Sequence, residues 1–137
     1  MCVWCGKRGT TLHPVIQCPA IQPALNLLSS LLSRLCPDLV QDFDLYWSLL
    51  PHGGGRSKET VNLANYLMIS LKATIYFLYT RSPPSDPLVV WTQRIKNKVM
   101  IDFHYHQAKH NHDLFLKNWN HNNTLFTIIN ENIFWLI

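Results

Sequence analysis

Four metal-binding side chains crowd the start of the chain: Cys2, Cys5, His13 and Cys18, spaced Cys-x2-Cys-x7-His-x4-Cys. Thiolate and imidazole are the usual protein donors to structural zinc, which takes four of them in a tetrahedron. A Cys-x2-Cys pair on a tight turn aims both sulfurs at one ion. Gly6 follows directly, where such a knuckle needs a residue free to take positive φ. His13 and Cys18 return from a second element, with Pro19 opening the next helix, and a thiolate near a helix start is electrostatically favoured. The fourth cysteine, Cys36, falls on an apolar stripe and reads as a buried hydrophobe. A redox Cys-x-x-Cys is the competing reading, but no βαβ pattern accompanies it. The spacing predicts one structural zinc, held by Cys2, Cys5, His13 and Cys18.

Around these donors lie groups suited to polyanions. Gly6-Lys7-Arg8-Gly9 would form the basic tip of the knuckle, a reasonable phosphate contact, with Trp4 nearby as a stacking surface; the competing reading is an ordinary turn with Trp4 packed under the metal. Arg94, Lys96 and Lys98 supply further positive charge. The net charge of +4 leans toward anionic partners, although no basic run exceeds two residues. RNA or single-stranded DNA is therefore the expected partner.

Other motifs carry less chemistry. Asp42-Phe43-Asp44 lacks the Tyr/Phe-x-Asp-Asp turn that polymerases use to hold Mg²⁺, and reads as a solvated acidic face. His52-Gly53-Gly54-Gly55 has the look of an oxyanion loop, but no Gly-x-Ser-x-Gly elbow supplies a nucleophile. His104, His106, His110 and His112 include an i, i+4 pair, His106 and His110, able to hold a metal. No Glu follows His106 to act as a base, so a polar, exposed helix end is the expected reading. The chain is not expected to be an enzyme.

These groups must be carried by a mainly helical frame. Residues 1–19 contain little that could build a core, which fits a metal-organised module. Ala24, Leu27, Leu28, Leu31, Leu32 and Leu35 predict an amphipathic helix from Pro23 to Leu35, stopped by Pro37. Residues Asp38 to Leu50 read as a short helix or as irregular chain. A second helix is expected from about Lys58 to Tyr79, capped by Ser57. Its buried face would be Val61, Ala64, Leu67, Met68, Leu71, Ile75 and Leu78. Ser82-Pro83-Pro84-Ser85 breaks it. A third opens at Asp86-Pro87, buries Val90, Trp91, Ile95, Val99 and Phe103, and sets Arg94, Lys96 and Lys98 on the opposite side. The helical domain is taken as 20–123, and 124–137 is an apolar tail without clear period, left unplaced.

At 137 residues the chain suits one small domain that a metal would help to stabilise. The first residues lack an apolar run and a small-residue cleavage site. Residues Val61 to Tyr79 are the sole candidate membrane span, but Asn62, Asn65 and Lys72 and their helical spacing favour a core helix. No membrane partner is expected, and the compartment is taken as reducing, nuclear or cytoplasmic, where clustered cysteines favour metal over disulfide.

The run Cys2-x-x-Cys5-Gly6…Gly9-Thr10-Thr11-Leu12-His13…Cys18-Pro19-Ala20-Ile21-Gln22-Pro23 resembles the zinc-binding C-terminal segment of LINE-type, non-LTR retrotransposon reverse transcriptases of the LINE-1-like branch. The leucine-rich helix around Ala64–Tyr79, the Ser82-Pro83-Pro84 turn, Trp91-x3-Ile95 and Phe115-Leu116-Lys117-x-Trp119 are also similar, so the likeness spans roughly residues 2–119. It implies zinc ligation by Cys2, Cys5, His13 and Cys18, and an RNA contact that supports reverse transcription, without the element's endonuclease and polymerase. The tail after Asn123 has no counterpart. The expectation is a mainly α protein: an N-terminal CCHC zinc knuckle and a small helical domain that binds RNA or single-stranded DNA. The alternative is a zinc-stapled helical protein that packs on a protein partner, or a retroelement remnant with no selected role.

Overall fold

A computed structural model describes residues 2, 4–6, 18–37, 49–50, 55–80 and 85–137. Among these the protein is mainly α. After a 3-10 turn at Pro19–Ile21 come α1 (Gln22–Leu35), α2 (Lys58–Tyr79), α3 (Pro87–Ala108) and α4 (His112–Trp119), and then β1 (Phe126–Ile129) and β2 (Asn132–Trp135).

The helix boundaries follow from local chemistry. Ser57 caps α2 by accepting from the Thr60 N–H, and the Asp86 carboxylate caps α3 by accepting from the Leu88 N–H. Pro87 occupies the first turn of α3, where its missing N–H costs nothing. The apolar stripes predicted for the three helices face inward, except that Leu27 and Val90 are only half-buried. All seven residues expected on the buried face of α2 are buried, together with Leu63 and Thr74. By length and composition α2 could cross a membrane, yet half of its apolar window is buried inside the fold.

The helices pack as one core. α3 lies on α2, α4 touches both, and α1 leans on α2 and α3. Trp91 is fully buried and donates its indole N–H to Ser70 Oγ at 2.9 Å, which satisfies the one polar atom its burial would strand. Trp119 does the same with Asp102 Oδ2 at 3.0 Å. Asn65 exchanges two hydrogen bonds with the backbone of Leu50, at 2.7 and 3.1 Å, and so fixes the chain that leads into α2. Residues 38–48, which include Asp42 and Asp44, and His52 lie outside the described residues.

Two regions differ from the expectation. The tail is an antiparallel hairpin in which Phe126 pairs with Trp135 and Ile128 with Ile133. Leu125 and Phe126 are fully buried, and Phe126 stacks on Phe115 of α4. The hairpin therefore belongs to the core. Its inward residues alternate, but the outward Ile129, Phe134 and Leu136 are also apolar and mask the two-residue period. The second difference is the histidine-rich end of α3. The helix stops at Ala108 and a separate α4 begins at His112. His106 is buried rather than exposed.

Candidate metal centre

The Cys2-x2-Cys5 turn closes through the Gly6 N–H, which donates to the Cys2 carbonyl at 2.8 Å. Gly6 holds φ at 72°, the left-handed region that a side chain would strain. Cys18 arrives from the other direction, immediately before the Pro19–Ile21 turn, and its carbonyl accepts from the Ile21 N–H. Ile21 is fully buried, and the turn rests against α1 and α3. Two chain segments sixteen residues apart in sequence are thus brought together by the start of the helical core.

The outcome is a convergent sulfur group. The Sγ atoms of Cys2, Cys5 and Cys18 all lie within 4.8 Å of one another. Cys2 and Cys18 approach to 3.6 Å. That exceeds a disulfide bond, about 2.05 Å. It matches the edge of a sulfur tetrahedron around an ion with metal–sulfur bonds of about 2.3 Å, which is about 3.8 Å. Cys2 and Cys18 are buried and Cys5 is half-buried. The three form a group able to hold a metal ion.

Electrostatics point the same way. Burial pushes the Cys18 thiol up, and the neighbouring Cys2 and Cys5 sulfurs add to this, to about 12. At Cys2, burial also acts to raise the pKa, but hydrogen bonds from the backbone of Cys5 and Trp4, with smaller help from the other sulfurs, leave it below the ordinary thiol value. Several thiolates cannot ionise side by side without a cation between them. A divalent ion relieves that repulsion, so the donor set fits a thiolate-binding metal.

Trp4 sits beside the cluster as an anchor. Its ring meets Tyr79 at the end of α2, centroids 5.9 Å apart, and its indole N–H donates to the Ser85 carbonyl at 3.2 Å. The knuckle is thereby tied to the junction between α2 and α3.

Of the basic residues expected to meet nucleic acid, the three described ones on α3 engage different partners. Arg94 donates to Thr74 Oγ1 at 3.4 Å and lies over the Phe77 ring at 4.5 Å, both on α2. Lys98 pairs with Asp102 at 3.6 Å. Lys96 leaves α3 on another side, its ammonium 5.9 Å from the centre of the Trp135 ring in β2. His13, Lys7 and Arg8 lie outside the described residues. Cys36 is buried in the core, as its place on the α1 stripe predicts. No family model matches the sequence, and neither a curated protein nor a solved structure matches the chain.

Proposed function

We propose that this chain is a non-enzymatic zinc module in which Cys2, Cys5, His13 and Cys18 bind one structural zinc that pins the N-terminus to a helical core. The observation that carries this reading is the convergence of three sulfurs from two chain segments within 4.8 Å. His13, separated from Cys18 by the four residues Pro14 to Gln17, is the natural fourth donor in the sequence. The packing of half-buried Trp4 against Tyr79 supports a stapling role, because the metal and the indole would hold the same short turn. Purified protein is expected to carry one zinc per chain. Cys2→Ser/Cys5→Ser is expected to lose it. Full zinc retention in that variant would sink the proposal.

A contact with RNA or single-stranded DNA is the second reading. It is supported by Lys7-Arg8 directly after the Cys5-Gly6 turn, by the net charge of +4, and by the resemblance to the reverse-transcriptase segment. Since Trp4 is engaged within the fold, this contact would rest on phosphates rather than on base stacking. Affinity is expected to be on the order of micromolar at low salt and to fall steeply as salt rises. Fluorescence anisotropy of labelled RNA, for wild type and Lys7→Ala/Arg8→Ala, checks it. Equal binding by the two proteins removes the reading and leaves the zinc staple untouched.

A further inference from the structure

Where α3 ends, α4 begins and the hairpin turns, three histidines and a carboxylate surround one open cavity of about 380 Å³. Its walls are Phe103, His106, Gln107, His110, His112 and Glu131. We infer that His106, His110, His112 and Glu131 form a second metal site, distinct from the cysteine cluster, that takes a divalent transition ion such as zinc.

His106 is the fixed donor. Its Nδ1 lies 2.7 Å from the Asp102 carbonyl oxygen, which can only accept, so Nδ1 carries the proton and Nε2 keeps its lone pair. A backbone carbonyl behind the imidazole is the arrangement that orients histidine ligands in metal sites. His106 is also buried, so the tautomer and ring position are held by packing.

His110 and Glu131 stand at backbone positions where glycine is the ordinary choice. The end of α3 is a Schellman motif: the Asn111 N–H donates to the His106 carbonyl at 2.8 Å, and the His110 N–H to the Gln107 carbonyl at 3.2 Å. That motif places His110 at φ 54°. The hairpin turn has Asn130 at φ 51° and Glu131 at φ 66°, the pattern of a type I′ turn, which favours Asn-Gly. Neither His110 nor Glu131 is the glycine these backbone positions ordinarily take. Both border the same cavity, and neither side chain makes a hydrogen bond or ion pair among the described residues. His112 completes the set from the first position of α4, its ring stacked on Phe115.

Three imidazoles and a carboxylate suit zinc, copper or nickel. The donors are spread around the cavity rather than converged, since among the described residues only the cysteines form a tight ligand group. His110, His112 and Glu131 are exposed, so their side chains must rotate toward His106 to share an ion. Affinity is therefore weaker than at the cysteines.

The test is equilibrium dialysis of the full chain against micromolar free zinc, with bound metal counted per chain. Wild type is expected to hold two zinc ions, one tight and one weak. His110→Gly/Glu131→Gly relieves the positive-φ strain, so it should keep the fold while losing the weak ion, at least about tenfold in affinity. Cys2→Ser/Cys5→Ser should lose the tight ion and keep the weak one, so the two sites fail separately. His104 does not border the cavity, and His104→Gln should retain both ions. Absence of the weak ion from Cys2→Ser/Cys5→Ser, or unchanged weak binding in the double glycine variant, overturns the inference. Proton NMR gives a second readout. Zinc should shift the ring signals of His106, His110 and His112 before that of His104, and the reverse order counts against the site.

Discussion

The two ends of the chain are both fastened to the helical body, by opposite means. At the N-terminus the Cys2–Gly6 turn brings one anchoring aromatic, Trp4, and two sulfurs that cluster with Cys18 beside the Pro19–Ile21 turn. At the C-terminus the hairpin brings no clustered donors but buries Leu125 and Phe126 completely, with Trp135 edge-on to Phe126. One end gathers thiols that a cation could bridge, and the other is held by apolar area removed from water. On the proposed reading, donor chemistry would add at the cysteines what aromatic burial supplies at the hairpin.

Chelation should separate the two ends most sharply. On the proposed reading, free zinc ten-thousandfold above its Kd would stabilise the native state by about 5 kcal/mol. Its removal should lower Tm by about 10–20 °C for a chain of this size. Hydrogen exchange on the chelated protein should show Gly6 and Ile21 amides losing protection while the hairpin keeps its own. Equal loss at both ends would mean that the metal holds the entire fold, and the contrast would fail.

Phe126→Ala attacks the other end. Truncating a fully buried phenylalanine costs about 3–5 kcal/mol, because Phe115 and Trp135 close only partly over the space. Thermal unfolding should register that loss while zinc content stays unchanged. A variant that unfolds normally but sheds its zinc would show that the ends are coupled.

These ends were also unequally legible in the sequence. Metal donors announce themselves by type and spacing, so Cys2, Cys5 and Cys18 could be grouped before any fold was known. The helices were legible because α2 and α3 each carry a long stripe at helical spacing and a capping residue, Ser57 or Asp86. The hairpin was hidden twice. Ile129, Phe134 and Leu136 fill its outward positions with apolar side chains, and its turn reads Asn-Glu where a hairpin signal would read Asn-Gly. The role of Trp4 was open for a different reason. An indole is equally suited to stack on a base or to pack beside a knuckle, and only the distant Tyr79 and Ser85 decide where it goes.

Trp4→Phe sharpens that last point with a smaller effect. The ring contact with Tyr79 survives, while the hydrogen bond to Ser85 is lost, so stability should drop by about 1 kcal/mol. Zinc content should not change. Denaturant unfolding reads the first and metal analysis the second. A drop in RNA affinity larger than the drop in stability would return Trp4 to the binding surface.

The smallest expected effect concerns His121, which docks the base of the hairpin on the start of α2. Its Nδ1 lies 3.3 Å from Thr60 Oγ1, and its Nε2 is buried without a partner. Burial depresses its pKa below the ordinary 6.5, against weaker opposition from the Asn118 and Lys117 carbonyls and from Glu59. The unfolded chain therefore binds more protons than the native one between the depressed value and 6.5. Its contribution to stability is complete above pH 6.5 and declines as pH falls through that window, where a proton on Nε2 would be a buried N–H with no acceptor. His121→Gln removes the titration, so its stability should slope less with pH below 6.5 than that of wild type. Both proteins should be measured after chelation, so that protonation of the zinc ligands does not enter the comparison. Identical slopes would mean that His121 is hydrated in the native state, and the hairpin would then rest on its aromatic packing alone.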